Sequence, residues 1–295
     1  MKVRFIINPR AGGSDKTAII TDAVREELSG ETGLFEIKVA AGSESLKRLS
    51  EEAVRKGYDV VFACGGDGTV HHVAGPLVGT ETVLGLMPAG SGNALARTLS
   101  IPVGIRECVA LLRSMRVREI DAGVVCGRYF FTTAGMGFEA HISKRYGQGG
   151  LSSSMRGLAP YFPLAVLEFF RYRCDPVLVK ADGFSCALSP LLLTAANTER
   201  FGGDAFIAPG AEPDDGLLDL CMVPRVNIFS ALRLGSRLFS KKIEGFKGYT
   251  RIRTKAAEIT REGTFSVHAD GEAFDWSGPV EIGIKPKSLR ILVQS

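Results

Sequence analysis

The segment Asp59-Val60-Val61-Phe62-Ala63-Cys64-Gly65-Gly66-Asp67-Gly68-Thr69-Val70-His71-His72-Val73-Ala74-Gly75-Pro76-Leu77 decides how the fold is read. Residues 59–64 form an apolar run without alternation, as expected of a strand covered on both faces. A glycine-rich turn follows, and residues 69–77 read as a helix. Strand, glycine loop and helix in that order are the repeating unit of a parallel sheet.

The same order repeats on either side. Val3–Ile7 reads as a short buried strand ending at Asn8-Pro9, and residues 15–29 as a helix carrying Ile19, Ile20, Ala23, Val24 and Leu28. Phe35–Val39 reads as a strand, and 44–56 as a helix that turns Leu46, Leu49 and Ala53 inward. Thr82–Leu86 is the next strand. Near residue 117 the pattern changes, and strands come in runs: 117–125, 128–134, 176–182, 185–196, 217–223 and 249–267. Two helical stretches interrupt them, about 152–172 and 226–242, and Leu289–Val293 is a last strand. The expected architecture is a Rossmann-like α/β nucleotide-binding domain with a parallel sheet, over 1–120 plus the C-terminal strand 287–295. A mainly antiparallel β-sandwich domain with helical insertions occupies 121–286.

Composition narrows the class. Lys and Arg number 36, Asp and Glu 32, a formal charge of +4. That excess is too small to announce a nucleic-acid binder. Glycine is the unusual count: 35 in 295 residues is roughly 12%, against a usual ~7%. The six cysteines make no CxxC pair and have no zinc-site spacing with the four histidines, so reduced and mostly buried thiols are expected. The N-terminal apolar run Phe5-Ile6-Ile7 is far too short for a signal-peptide core. No stretch approaches the ~20 apolar residues of a spanning helix, and a cytoplasmic location is the expectation.

Three glycine-bearing loops follow strands of the first domain: Asn8-Pro9-Arg10-Ala11-Gly12-Gly13, Gly65-Gly66-Asp67-Gly68-Thr69 and Pro88-Ala89-Gly90-Ser91-Gly92-Asn93. Each precedes a helical pattern. Glycine lets backbone N–H groups approach phosphate oxygens, and a helix N-terminus adds favourable partial charge. One such loop suits an ordinary turn as well as a phosphate site; three at successive strand ends point to a nucleotide. The chain has no GxxxxGK[ST] lysine loop. Asp67 among glycines suits a group that helps hold Mg²⁺ or orients an attacking hydroxyl, or a turn residue capping the following helix.

These residues resemble the catalytic domain of the diacylglycerol kinase and sphingosine kinase family, to which bacterial YegS-like lipid kinases belong. The resemblance rests on Asn8-Pro9, the GGDGT at 65–69 and PAGSGNALAR at 88–97. It continues through Ile120-Asp121-Ala122-Gly123, Ala196-Asn197, Phe201-Gly202-Gly203, Ala208-Pro209, the run 213–219 and Asp270-Gly271-Glu272. It implies ATP- and Mg²⁺-dependent phosphorylation of a lipid hydroxyl in an interdomain cleft. In that picture Asn8, Pro9, Gly65, Gly66, Gly68, Thr69, Gly90, Ser91, Gly92 and Asn93 line the nucleotide pocket. Asp67 and Glu272 are catalytic, with Asp67 also near the metal and Glu272 the base that takes the hydroxyl proton. Asp215 and neighbouring backbone carbonyls, Leu217 among them, match a structural metal site, and Asp121 supports from behind. Read on its own, Asp270-Gly271-Glu272 equally suits a hairpin turn with a solvated glutamate. His72 and Ala74 depart from the Glu and Asn that the family usually carries after GGDGT.

A kinase of this kind must reach a membrane. Residues 151–173 and 225–247 mix Leu and aromatic residues with Arg and Lys, which suits either an interfacial helix on anionic lipid or a core-packed amphipathic helix. Residues 225–255 hold nine basic side chains against Glu244 alone, so that segment carries +8 and the rest of the chain −4. Peripheral membrane association is therefore expected, and a homodimer is one admitted assembly. Diacylglycerol is the default acceptor, with a sphingoid base or ceramide as the close rival. Phosphorylation of a soluble acceptor such as NAD is a further alternative; PAGSGNALAR, the Asn197 region and the late DGE argue against it. A non-catalytic lipid-binding regulator is the last, and retained Asp67 and Glu272 oppose it.

Overall fold

Apolar runs at strand spacing and amphipathic runs at helical spacing alternate through the first 115 residues, and the computed structural model resolves them into a wound α/β unit. The structure describes residues 1–30, 33–148 and 162–294. In chain order come β1 (Lys2–Ile7), α1 (Thr17–Glu27), β2 (Leu34–Val39), α2 (Ser43–Arg55) and β3 (Val60–Gly65). They are followed by α3 (Asp67–Ala74), β4 (Val83–Pro88), α4 (Ala94–Thr98) and α5 (Ile105–Ser114). All pairings among these strands are parallel: β1 lies between β2 and β3, and β4 flanks β3. The chain thus winds one way from β1 to β2 and the other way from β3 onward. The crevice beyond the carboxyl ends of β1 and β3 is the topological switch point, where such sheets bind ligands. Every residue of β3 is buried, as the unbroken apolar run required.

One buried cation sits in this sheet. Arg4 is fully buried and donates to Glu36 Oε2 from both Nε (2.9 Å) and Nη2 (2.6 Å), and to the Leu49 carbonyl at 2.9 Å. Its guanidinium also lies 4.5 Å from the Tyr58 ring centre. Burial alone would raise the Glu36 carboxyl, but hydrogen bonds from Lys38, Tyr58 and Arg4 outweigh it and hold it down at about 2.

The second unit is antiparallel. It continues with β5 (Val117–Val125), β6 (Arg128–Phe130), β7 (Thr133–Gly137), α6 (Phe138–Gln148), α7 (Phe162–Arg171), β8 (Val177–Ala181), β9 (Phe184–Leu188) and β10 (Pro190–Ala196). Then come β11 (Arg200–Gly202), β12 (Ala205–Phe206), β13 (Leu218–Pro224), α8 (Ile228–Phe239), β14 (Thr250–Thr254), β15 (Ala256–Thr260), β16 (Thr264–Ala269), β17 (Glu272–Ser277) and β18 (Val280–Leu292). One sheet has the order β14-β13-β10-β7-β16-β17, and the facing layer includes β18, β15, β8 and β9. The period of two sorts the side chains. Val177, Val179, Leu193, Ala195, Leu218, Leu220, Phe265 and Val267 fill the core between the sheets. Their neighbours Leu192, Ala196, Cys221 and Val223 face the other way, into a cluster that includes Leu234 of α8 and Phe169 of α7.

The division falls between Ile120 and Asp121 and again between Pro286 and Lys287. The last strand therefore serves both units. Its first half pairs antiparallel with β15, and its second half pairs parallel with β4, Ile291 opposite Leu84.

Several elements differ from the sequence reading. The single run 249–267 is three strands, broken at Lys255 and again at the Arg261-Glu262-Gly263 turn, where Gly263 has φ +77°. The helix α6 was not anticipated; it follows β7 with no intervening loop. The helix expected at 152–172 is seen as Phe162–Arg171, and residues 149–161 lie outside the described residues. The final strand is longer than Leu289–Val293. Cys64, Cys108 and Cys221 are buried thiols, while Cys126, Cys174 and Cys186 are half-buried; none of the six is in a disulfide. No helix among the described residues is long and apolar enough to cross a membrane.

Candidate functional site

Three loops at the carboxyl ends of β1, β3 and β4 are tied together by side chains that the motifs supply. The Asn8 amide donates to Thr69 Oγ1 at 2.9 Å, while its carbonyl accepts the Arg10 N–H at 3.1 Å. Asn8 thereby links the first loop to the second. The Asp67 carboxylate links the second to the third: one oxygen accepts the Asn93 N–H at 2.8 Å, the other the Ala94 N–H at 2.6 Å. It caps the N-terminus of α4, whose first N–H groups have no intrahelical acceptor. Asn93 adopts a left-handed backbone (φ +53°), which Asn tolerates because its short side chain bonds locally. Here it closes the loop on itself, donating to the Gly90 carbonyl at 2.8 Å and accepting the Gly90 N–H at 3.2 Å.

Spacing explains two of the glycines. A Cβ on Gly90 would lie 2.5 Å from the Gly66 Cα, so the backbones of the second and third loops meet with no room between them. The first intrahelical bond of α3 runs from the Val70 N–H to the Gly66 carbonyl at 3.0 Å. The N–H groups of Asp67, Gly68 and Thr69 therefore come before any intrahelical acceptor. Such N–H groups at a helix start, with close backbone approach permitted by glycine, fit phosphate oxygens. Gly65 is buried at the end of β3, and Pro9, Gly66, Gly68, Gly92 and Asn93 are half-buried; Ser91 is exposed. Lys16 was not singled out from sequence. Its ammonium donates to the Ala89 carbonyl at 3.2 Å, which brings a cation to the first and third loops. A lysine three residues beyond Gly12-Gly13 was the available signal. His71 and His72 stand edge to face on α3, ring centres 5.1 Å apart.

The remaining candidates lie in the second unit. Asp270 and Gly271 have φ +50° and +84°, the backbone of a type I′ hairpin turn between β16 and β17. The Asp270 carboxylate accepts the N–H of Phe131 (3.0 Å) and both the N–H (2.8 Å) and hydroxyl (2.6 Å) of Thr132. That clamp fixes the turn, and Glu272, the first residue of β17, is left exposed on it.

Asp121 is fully buried. Its carboxylate accepts the Gly216 N–H at 2.7 Å, its N–H donates to the Pro213 carbonyl at 2.6 Å, and its carbonyl accepts the Asn197 amide at 3.0 Å. The signatures at 121, 197 and 213–216 are thus one bonded cluster. Asp215 accepts the Leu217 N–H at 2.9 Å and is ion-paired with Arg253. A carboxylate already on a guanidinium, with the Leu217 N–H turned toward it, does not make a cation cage. The residues proposed for a structural metal therefore do not fit one as arranged. Among the described residues no group of three or more His, Cys, Asp and Glu is placed to hold a metal ion.

Phosphate-fitting loops at the switch point of a wound sheet, followed by a β-sandwich, define a phosphotransferase of the kinase type. Residues 2–125 match the diacylglycerol kinase catalytic domain, and residues 132–293 the YegS C-terminal NAD kinase beta sandwich-like domain. The chain belongs to the lipid kinase family that these two domains define. It is 29% identical over 301 residues to a protein named diacylglycerol kinase from Mycobacterium tuberculosis, covering 99% of this chain and 94% of that one. It is 27% identical to a Pseudomonas aeruginosa protein named "Probable lipid kinase YegS-like", covering 98% and 93%. A solved structure from Bacillus anthracis str. Sterne shares the fold with a TM-score of 0.80 at 22% identity, over 99% of this chain and 95% of that one.

Proposed function

We propose that this protein transfers the γ-phosphate of ATP to a hydroxyl of a membrane lipid, with diacylglycerol as the default acceptor. The observation that carries this reading is the Asp67 bridge to Asn93 and Ala94, which holds two phosphate-fitting loops in one arrangement. Phosphoryl transfer needs chiefly positioning and neutralisation of spreading negative charge. The N–H groups at the start of α3 and the Lys16 ammonium supply donors for the phosphates. Asn8 and Thr69 keep the first two loops in register. Mg²⁺, when carried on the nucleotide, neutralises phosphate charge, and Asp67 is the acidic side chain of these loops that such an ion would meet. A lipid alcohol is a weak nucleophile until a base accepts its proton. Glu272 takes that role in this reading; its support is an exposed carboxylate on a turn that Asp270 makes rigid.

The name of the mycobacterial relative favours diacylglycerol over a sphingoid acceptor. The test is phosphate transfer from labelled ATP to diacylglycerol, sphingosine, ceramide and phosphatidylglycerol, with NAD as the soluble control. Label should enter diacylglycerol, and Asp67→Ala and Glu272→Gln should each remove it. Label entering NAD with none in any lipid would overturn the reading, as would wild-type rates in both folded variants.

A further inference from the structure

The outward face of α8 carries three large apolar side chains beside Arg233 and Ser236, where a solvated helix would be polar throughout. Inward, Leu234 is buried and Leu238 packs against the cluster of Cys221, Val223, Ile243 and Phe246. Outward, Phe229 is 80% exposed, Leu232 43% and Phe239 52%. Offsets of three and ten residues from Phe229 place all three on one side of the helix. The cap is well made, Asn227 accepting the Ser230 N–H at 2.9 Å, so the helix starts where the stripe starts.

Cations flank the stripe. Arg225, Arg233, Lys242 and Lys247 are exposed. Of the other basic residues in 225–247, Lys241 pairs with Glu199 and Arg237 donates to the Lys242 carbonyl. The acid of that segment, Glu244, is engaged by Arg251. A second copy of the chain laid against this face would bring cation against cation, which opposes association. An anionic surface with an apolar interior meets both features.

We propose that α8 is a membrane-docking helix. Phe229, Leu232 and Phe239 enter the headgroup boundary of an anionic bilayer, and Arg233 and Lys242 lie at the level of its phosphates. The proposal deepens the lipid-kinase reading and rests on it for its purpose, yet binding is measured without catalysis.

The experiment is co-sedimentation of the full chain with phosphatidylcholine vesicles, with and without phosphatidylglycerol, at low and high salt. Wild type should bind the anionic vesicles, less so at high salt. The triple variant Phe229→Ser, Leu232→Ser, Phe239→Ser should weaken binding by about tenfold or more. Arg233→Ser with Lys242→Ser should weaken it by about fivefold per charge at low salt and little at high salt. Phe229→Ser alone keeps the direction testable should the triple variant melt early. Vesicle binding equal to wild type in all variants would overturn the proposal. So would a dimer in vesicle-free solution that the triple variant converts to monomer. Phosphorylation of water-dispersed short-chain diacylglycerol separates the two readings: docking variants should retain the wild-type rate there. Vesicle binding as expected with no phosphorylation by wild type would remove the kinase reading and leave the docking face standing.

Discussion

The Asp67 carboxylate accepts the Ala94 backbone N–H at 2.6 Å across a sequence separation of 27 residues. Its other oxygen takes the N–H of Asn93. The acidic residue of this glycine loop therefore directs both carboxylate oxygens to a helix terminus, and in the proposed reaction loop geometry and reactivity would depend on the same side chain. Asp67→Ala should lower stability by about 1–3 kcal/mol, the cost of leaving helix-start donors without an acceptor. It should also cut phosphotransfer by about 100-fold or more. Asp67→Asn, which retains one carbonyl oxygen, should fall between in urea denaturation. Unchanged stability in Asp67→Ala would show that the bridge holds nothing.

Gly90→Ala tests the close approach of the second and third loops. Its Cβ would meet the Gly66 Cα at 2.5 Å and Asn93 Oδ1 at 3.1 Å. Both neighbours are constrained, so the loops must part, at about 1–3 kcal/mol. Nucleotide affinity, read by titration calorimetry, should drop with it. Retained affinity would mean that the loops are not the nucleotide site.

Asp270→Ala should destabilise the second unit by about 2–4 kcal/mol, because a charged acceptor of several hydrogen bonds is lost and the donors of Phe131 and Thr132 are stranded. Glu272→Gln, on the exposed side of the same turn, should change stability by less than about 0.5 kcal/mol. Thermal melts of the pair separate the clamp from the residue it presents.

Two buried groups give opposite pH signatures. Glu139 accepts from the Leu193 N–H (3.2 Å) and Thr194 hydroxyl (3.0 Å), while its Oε2 has no partner. Burial pushes this carboxyl up to about 8 from an ordinary 4.5. The native state keeps a proton that the unfolded chain releases, so stability present below pH 4.5 is lost as pH rises through about 8. His268 is pushed down to about 4 from 6.5, again by burial. Its contribution is present above pH 6.5 and lost as pH falls through about 4. Each slope is of order 1.4 kcal/mol per pH unit. Glu139→Gln should flatten the decline above pH 6.5, and His268→Asn that below pH 4.5, in urea denaturation across pH. Parallel curves for wild type and variant would contradict either assignment.

Much of the fold was legible because each unit obeys its own period. The unbroken apolar run of β3 and the alternating burial of β8 are written in single residues. Loop-to-loop contacts were legible only as residue types. That Asn8 would meet Thr69, 61 residues on, follows from the parallel order of β1 and β3 and not from any local signal. The helix α6 escaped because it begins directly at the end of β7, beside Gly135 and Gly137, with no loop residues to mark its start. Phe138, His141 and Ile142, at helical spacing, were the overlooked signal. The end of β18 was legible and its beginning was not, since Pro286 interrupts the run, as proline is expected to do in a strand. Arg4 hides in a strand of Val and Phe, and its partners come from β2 and α2. Asp215 shows the same limit: a turn carboxylate reads as a cation ligand in the sequence, and its pairing with Arg253 from β14 has no local signal.

The dual strand β18 has a consequence for synthesis. Among the described residues the free edge of β4 pairs with residues near Ile291, which leave the ribosome after the preceding strands of the sandwich. Until then the emerging first half carries an open parallel edge, an invitation to wrong pairing. A chain that stops short of this strand has every loop residue of the candidate site and lacks the neighbour of the strand that carries the third loop. Synthesis of the segment around Ile291 is thus built into the sheet as a condition for assembling the parallel pair of β4 and β18.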